Sequence, residues 1–215
     1  MAPRTELGAL DKLLVEFDQA LRTLVPGSSH AQRPSPARKL GKQELGDPER
    51  KQAAALMRIN HTGEVCAQAL YRGQAATARL TEVRDAMDNA ATEEVDHLAW
   101  CEERLEQLDS HASVFNPLWY SMSFGLGAAA GVVGDRWSLG FVAETEEQVC
   151  DHLEEHLDKL PEDDVRSRAI LQQMLVDERQ HGKSARQAGG AELPLPVRQA
   201  MLGMSRVMKR ITYFV

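Results

Sequence analysis

The sequence predicts an all-α protein, a helical bundle with additional helices, on three observations. Aromatic residues make up only 5% of the 215-residue chain and 27% of it is charged, with many Ala, Leu, Glu, Gln and Arg, a balance that favours helices over strands. Apolar residues recur every three to four positions over long runs. The breaks between those runs fall mostly at proline and glycine.

Taken in order, Leu7, Leu10, Leu14, Phe17, Leu21 and Leu24 predict an amphipathic helix over residues 5–25, stopped by Pro26-Gly27. Residues 26–46 hold three prolines, three glycines and three serines and read as a flexible linker, so 1–46 forms a leading helix and linker and 47–215 the main domain. Asp47-Pro48 reads as an N-cap followed by proline at the first helical position. Further helices are expected over 48–78, 82–109, 117–133, 136–160, 162–188 and 196–213. Their breaks are Asn116-Pro117, Gly134-Asp135, Pro161 and Gly189-Gly190, while only Thr81 marks the break near residue 80.

No charged residue occurs between Ala112 and Gly134, but serines, Asn116, Pro117 and glycines dilute the run, and its apolar core, Leu118 to Val133, is short for a bilayer span. A buried or interfacial helix is expected there. The GLGAAAG segment at 125–131 matches a loose dinucleotide fingerprint, yet no strand precedes it and no βαβ unit surrounds it.

Net charge is −7, which argues against nucleic acid as a partner, although Arg198, Arg206, Lys209 and Arg210 make the segment from Pro194 to Val215 basic. Cys66, Cys101 and Cys150 form no CxxC pair and fit a reducing compartment, as small apolar filler. Glu6, Asp11, Glu16 and Asp18 near the start argue against a secretory signal or an acid-poor transit peptide, and a bacterial cytoplasm is the simplest home.

Two Glu-x-x-His motifs occur, Glu94 with His97 and Glu178 with His181, each placing both side chains on one helix face. Such pairs also arise by chance, so their setting matters. Glu64 lies 30 residues before Glu94 and Glu146 lies 32 before Glu178, so a Glu, Glu, His pattern repeats. In an antiparallel hairpin, residues at equal height are symmetric about the turn. Glu146 and Glu178 therefore predict a turn at residue 162, beside Pro161, and Glu64 and Glu94 one at residue 79.

All of these candidates sit on apolar stripes, where carboxylates repel and pay for desolvation unless cations compensate them. Two Fe or Mn ions suit four carboxylates and two imidazoles, whereas structural zinc favours thiolates. A Glu from each of two helices and Glu-x-x-His from the other two mark the ferritin-like four-helix bundle with a di-iron or di-manganese centre. Glu93, Glu102, Glu103, Glu147, Glu154 and Glu155 read as solvated. His61, Gln68 and Tyr71 share the face of Glu64, the latter two as candidate partners of the metal ligands. Gly63 suggests that a helix or a flat substrate approaches the backbone there.

The segments RINHTGEVCAQALYRGQ (58–74), EEVDHLAWCEERL (93–105), VAETEEQVCDHLEEHL (142–157) and DERQHG (177–182) resemble the demethoxyubiquinone hydroxylase family, over nearly all of residues 48–215. The resemblance implies iron ligands at Glu64, Glu94, His97, Glu146, Glu178 and His181, with His152 near the metals as a hydrogen-bonding neighbour. Choosing Glu146 over Glu144 or Glu147 rests on that resemblance and on the turn symmetry; Glu94 and Glu178 would be the bridging carboxylates, which spacing alone does not settle.

It further implies a monooxygenase that uses O2 to hydroxylate the ring of 2-polyprenyl-3-methyl-6-methoxy-1,4-benzoquinol in ubiquinone biosynthesis. Two Fe ions per chain and electrons from an external reductant, NADH, a reductase or the quinol itself, complete the chemistry. The polyprenyl tail implies a peripheral place on the cytoplasmic face of the bacterial cell membrane. The basic amphipathic C-terminal helix and an aromatic edge of Trp119, Tyr120 and Phe124 are expected to meet lipid there, unless both helices serve as bundle caps or hold a homo-oligomer or biosynthetic complex together. The alternatives are another ferritin-like oxidase or iron-handling protein, and a metal-free helical adaptor.

Overall fold

The computed structural model describes residues 8–42 and 44–215; residues 5–7 of the first expected helix, Leu7 among them, lie outside that range. Among the described residues seven helices follow one another: α1 (Ala9–Leu24), α2 (Asp47–Thr77), α3 (Thr81–Gln107), α4 (Asn116–Val133), α5 (Asp135–Lys159), α6 (Val165–Gln187) and α7 (Leu195–Thr212). No strand occurs among the described residues.

Helices α2 and α3 form one antiparallel hairpin and α5 and α6 a second, with α4 crossing between them against α2. The turns fall where ligand symmetry placed them. The starts of α2, α3, α4, α5 and α7 fall one residue before expectation and those of α1 and α6 fall after it; three of the seven have caps that differ from those expected. The cap of α2 is Gly46 and not Asp47, its N–H donating to the Glu49 carboxylate at 2.9 Å. At the α2–α3 break the cap comes from afar, since Asp135 accepts from the N–H groups of Arg79 and Leu80 at 3.0 and 2.9 Å. Helix α6 starts at Val165 and not 162, because Asp164 caps it by accepting from Ser167 N–H at 3.0 Å.

The core divides along the bundle axis. At one end Met57, Trp100, Leu105, Leu153, Leu171 and Met174 pack together; at the other Tyr71, Val83, Met87, Leu139 and Val142 do so. Between these apolar layers lies the polar centre. The GLGAAAG segment serves packing: a Cβ on Gly127 would lie 2.1 Å from the Leu70 carbonyl oxygen, so α4 and α2 touch backbone to backbone.

The segment 26–40 is tied to the bundle. Gly27 N–H donates to Glu102, Ala37 is buried in the core, and the Leu40 carbonyl accepts from Arg166 at 2.7 Å. Cys101 is buried and Cys66 and Cys150 half-buried, all free thiols. No helix among the described residues is long and apolar enough to cross a membrane. Trp119 and Tyr120 are buried, so the expected aromatic edge of α4 is absent; its outward face carries Leu118, Met122, Leu126, Val132 and Val133 instead.

Candidate metal centre

Each hairpin brings its carboxylates level between the two apolar layers, Glu64 on α2 with Glu94 and His97 on α3, and Glu146 on α5 with Glu178 and His181 on α6. All but His181 are 4% exposed or less, and Glu94 and His97 are fully buried. Helical spacing explains the convergence: three-residue separation stacks each Glu-x-x-His pair on one inward face.

The two motif carboxylates have the same relation to both histidines. Glu94 places Oε2 3.0 Å from His97 Nδ1 and Oε1 3.1 Å from His181 Nδ1. Glu178 places Oε1 3.0 Å from His97 Nδ1 and Oε2 3.0 Å from His181 Nδ1. Glu64 flanks the His97 side at 3.6 Å. Ligand atoms of Glu64, Glu94, His97 and Glu178 all lie within 4.8 Å of one another, close enough for one metal ion. Glu146 accepts a hydrogen bond from the Tyr71 hydroxyl.

Electrostatics show what this cluster demands. Burial pushes the Glu64 carboxyl well above its ordinary range, against a hydrogen bond from His97. Burial, with Glu178 and Glu94 nearby, does the same to Glu146. Burial opposes charge on Glu94 too, but His97 and His181 outweigh it and hold that carboxyl low. Burial likewise disfavours charge on the imidazoles, yet the surrounding carboxylates raise His97 well above normal and His181 to about 12. Protons thus do what cations would do better. Glu94 Oε1 is buried without a well-formed hydrogen bond. Oxygen-rich, with two imidazoles and no thiolate, the set suits a divalent ion that takes oxygen and imidazole ligands and not a structural zinc; Cys101 instead packs its sulfur on Met174.

The histidines' outer nitrogens reveal residues that the motif reading missed. His97 Nε2 lies 2.9 Å from Asp177, and His181 Nε2 lies 2.6 Å from Glu93. The acid just before each motif glutamate therefore holds the histidine of the other motif, which presents both Nδ1 atoms to the centre. An acid-Glu-x-x-His pattern was legible in EEVDH and DERQH; Glu93, read as solvated, is exposed and yet has this role. Asp177 in turn meets Arg33, for which no sequence signal existed.

Other expectations fare differently. Tyr71 does contact a site carboxylate, but Gln68 accepts from Thr23 at 2.7 Å. His152 donates to or accepts from no site carboxylate and meets Asn60 Oδ1 at 2.9 Å, which His156 shares at 3.0 Å. His61 meets Asn116. A Cβ on Gly63 would stand 3.9 Å from His152, an ordinary contact, so no helix presses on it; Gly63 borders a cavity instead.

That cavity, about 260 Å³, lies between α2, α4, α5 and α7 and is mostly apolar, walled by Leu70, Trp119, Phe141, Val149 and Met201, with His152 and Gln148 among its few polar groups. A second space of about 310 Å³ lies outside α3 and α6, where Gln32, Arg33, Glu93, Asp96, Asp177 and His181 form a polar mouth.

Two helical hairpins enclosing a Glu from each of two helices and Glu-x-x-His from each of the others define a ferritin-like bundle with a buried carboxylate–histidine cluster able to hold metal. The chain belongs to the family described as ubiquinone biosynthesis protein COQ7, whose model matches residues 51–212. It is 58% identical over 213 residues, 99% of each chain, to the 3-demethoxyubiquinol 3-hydroxylase of Pseudomonas syringae pv. syringae (strain B728a). The enzyme of that name from Ectopseudomonas mendocina (strain ymp) is 58% identical over the same share of each chain. That from Stutzerimonas stutzeri (strain A1501) is 59% identical over 203 residues, 94% of each chain.

Proposed function

We propose that this chain is a di-iron monooxygenase acting as a 3-demethoxyubiquinol 3-hydroxylase, placing a hydroxyl group on the open ring carbon of 2-polyprenyl-3-methyl-6-methoxy-1,4-benzoquinol. The observation that carries the metal half of this reading is the paired placement of Glu94 and Glu178, each with one oxygen toward each imidazole, so that either would be able to serve two ions; the family match supports the substrate half. Glu64 with His97 and Glu146 with His181 complete the two ends. When bound, iron supplies O2 activation: one oxygen atom enters the ring, the other leaves as water, and an external donor, NADH, a reductase or the quinol, provides two electrons.

The chain's own part is binding and orientation. The apolar cavity borders Gly63, adjacent in sequence to Glu64, so a flat ring entering there comes close to the centre. Gln148, Thr145 and Ser123 are hydrogen-bonding groups for ring oxygens, and Met201, Met204 and Met208 offer an adaptable apolar wall to the tail. Tyr71 fixes Glu146. The tail places the reaction at a bilayer, with the protein peripheral on the cytoplasmic face of the cell membrane.

Anaerobic loading with Fe(II), followed by O2, a reductant and a short-tailed methoxy-methyl-benzoquinol, tests the reading by mass spectrometry. A product heavier by one oxygen atom is expected. Absence of that product from protein shown to hold about two irons per chain would defeat the substrate assignment, and a chain that takes up no iron would defeat the metal assignment.

A further inference from the structure

The two halves of the centre are related by the repeat but differ in what covers them. On the His181 side, Glu93 stands exposed at the polar mouth. On the His97 side, Asp177 is mostly buried and held from both ends, by Gln173 at 2.9 Å and by the Arg33 guanidinium at 2.9 Å.

Arg33 is fixed in turn. Its Nε meets Asp96 at 2.6 Å, and Asp96, 4% exposed, also accepts the Gln32 N–H at 2.6 Å. Its guanidinium lies 4.9 Å over the Trp100 ring, and Trp100 Nε1 donates to the Arg33 carbonyl at 3.1 Å. Trp100 itself packs against His97, with ring centroids 5.4 Å apart. The segment around Arg33 thus forms a strap across α3 and α6, the two helices that carry the Glu-x-x-His motifs. An isolated exposed ion pair contributes little. A planar fork shared by two largely buried carboxylates and stacked on an indole is a different object, and lysine does not replace it.

We propose that Arg33 latches the His97 half of the metal centre, fixing Asp177 as the partner of His97 Nε2 and covering that side of the polar mouth, so that this half exchanges metal more slowly than the His181 half. Arg33 is a positioning residue in this role. The inference rests on the two-metal reading above.

Metal release from the full chain distinguishes the two. Protein loaded anaerobically with Fe(II) is mixed with excess chromogenic Fe(II) chelator, and release is followed with time. Two phases are expected in the wild type. Arg33→Ala accelerates the slow phase by roughly 10-fold, the low end of the effect of losing a hydrogen-bonded partner of a metal ligand because Asp177 itself stays, and leaves the fast phase unchanged. Arg33→Lys falls between, and Arg38→Ala, at an exposed strap position, matches the wild type. Circular dichroism confirms unchanged helicity. A slow phase unaltered in Arg33→Ala, or a single phase in the wild type with two irons bound, overturns the latch and leaves the metal centre standing. A wild type that binds no iron overturns both.

Discussion

Four carboxylates and two imidazoles in a buried layer leave little tolerance for a misplaced oxygen, and Tyr71 shows how one is kept in place. Its ring is fully buried in the apolar layer next to the site while its hydroxyl donates to Glu146. Tyr71→Phe keeps the filler and deletes the donor, so the fold survives and Glu146 loses its restraint. Competition titration with a metal chelator is expected to show one of two sites weakened by about 10–100-fold. Unchanged affinity would mean that Tyr71 only packs.

The buried histidines outside the centre give a second prediction at this scale. Burial holds His61 and His156 down to about 4, and burial, followed by His156 and Lys209, holds His152 well below its ordinary value. Folded values below the unfolded value of about 6.5 mean that the unfolded chain takes up protons first on acidification. Their stabilisation is complete above pH 6.5 and is lost as pH falls toward 4, for His156 on the order of 3 kcal/mol. Denaturant unfolding of metal-free protein checks this by difference: His156→Gln loses less stability between pH 7 and 4.5 than the wild type, and equal losses would refute the assignment. Five of the six candidate ligands stand out from the two motifs, their repeat and the turn symmetry, whereas choosing Glu146 over Glu144 or Glu147 needed the family resemblance as well. Asp177 carried a signal in its place before Glu178, whereas Arg33 carried none, since its partners are more than sixty residues away.

At the scale of elements, every long helix was legible from periodicity, and the errors lie at ends whose caps are remote or displaced. Asp135 capping the start of α3 from across the bundle is beyond any local pattern. The glycines of α4 show the same limit in reverse. Their spacing looked like a weak nucleotide motif, yet it is the contact surface with α2, where Gly73 faces Phe124 and Ala128 of α4 much as Gly127 faces Leu70. Gly127→Ala would force a methyl group to within 2.1 Å of a backbone oxygen that no rotamer change can relieve. The helices must separate, at a cost of about 1–3 kcal/mol for overpacking, offset in small part by the better helix propensity of alanine. A lowered thermal midpoint is expected, in contrast to Gly125→Ala, which meets open space and should gain slightly. Equal midpoints for the two variants would contradict the backbone contact.

For the molecule as a whole, net charge is the least informative quantity, because −7 conceals a basic C-terminal segment. The structure also divides that segment. Arg198 pairs with Glu144 at 2.6 Å and Lys209 approaches Glu155 at 3.6 Å, while Arg206 and Arg210 are exposed and enter no ion pair among the described residues. Beside them on α7, Leu202, Val207 and Ile211 are exposed, and Met122 and Leu126 of α4 and Met204 of α7 both line the apolar cavity and reach the surface. The rim of the cavity and the unpaired charges thus belong to neighbouring stretches of α4 and α7. A tail drawn from a bilayer, as proposed above, would need that continuity. If this face rests on anionic lipid, two arginines near the surface contribute about 1 kcal/mol each, so Arg206→Gln with Arg210→Gln should weaken binding to phosphatidylglycerol-containing vesicles roughly 30-fold. Raised salt should weaken wild-type binding in the same direction, and neutral vesicles should bind through the apolar rim alone. Co-sedimentation measures all three. Binding that is indifferent both to salt and to the double substitution would remove the electrostatic half of the argument, and no binding to either vesicle would leave the exposed apolar face to a protein partner.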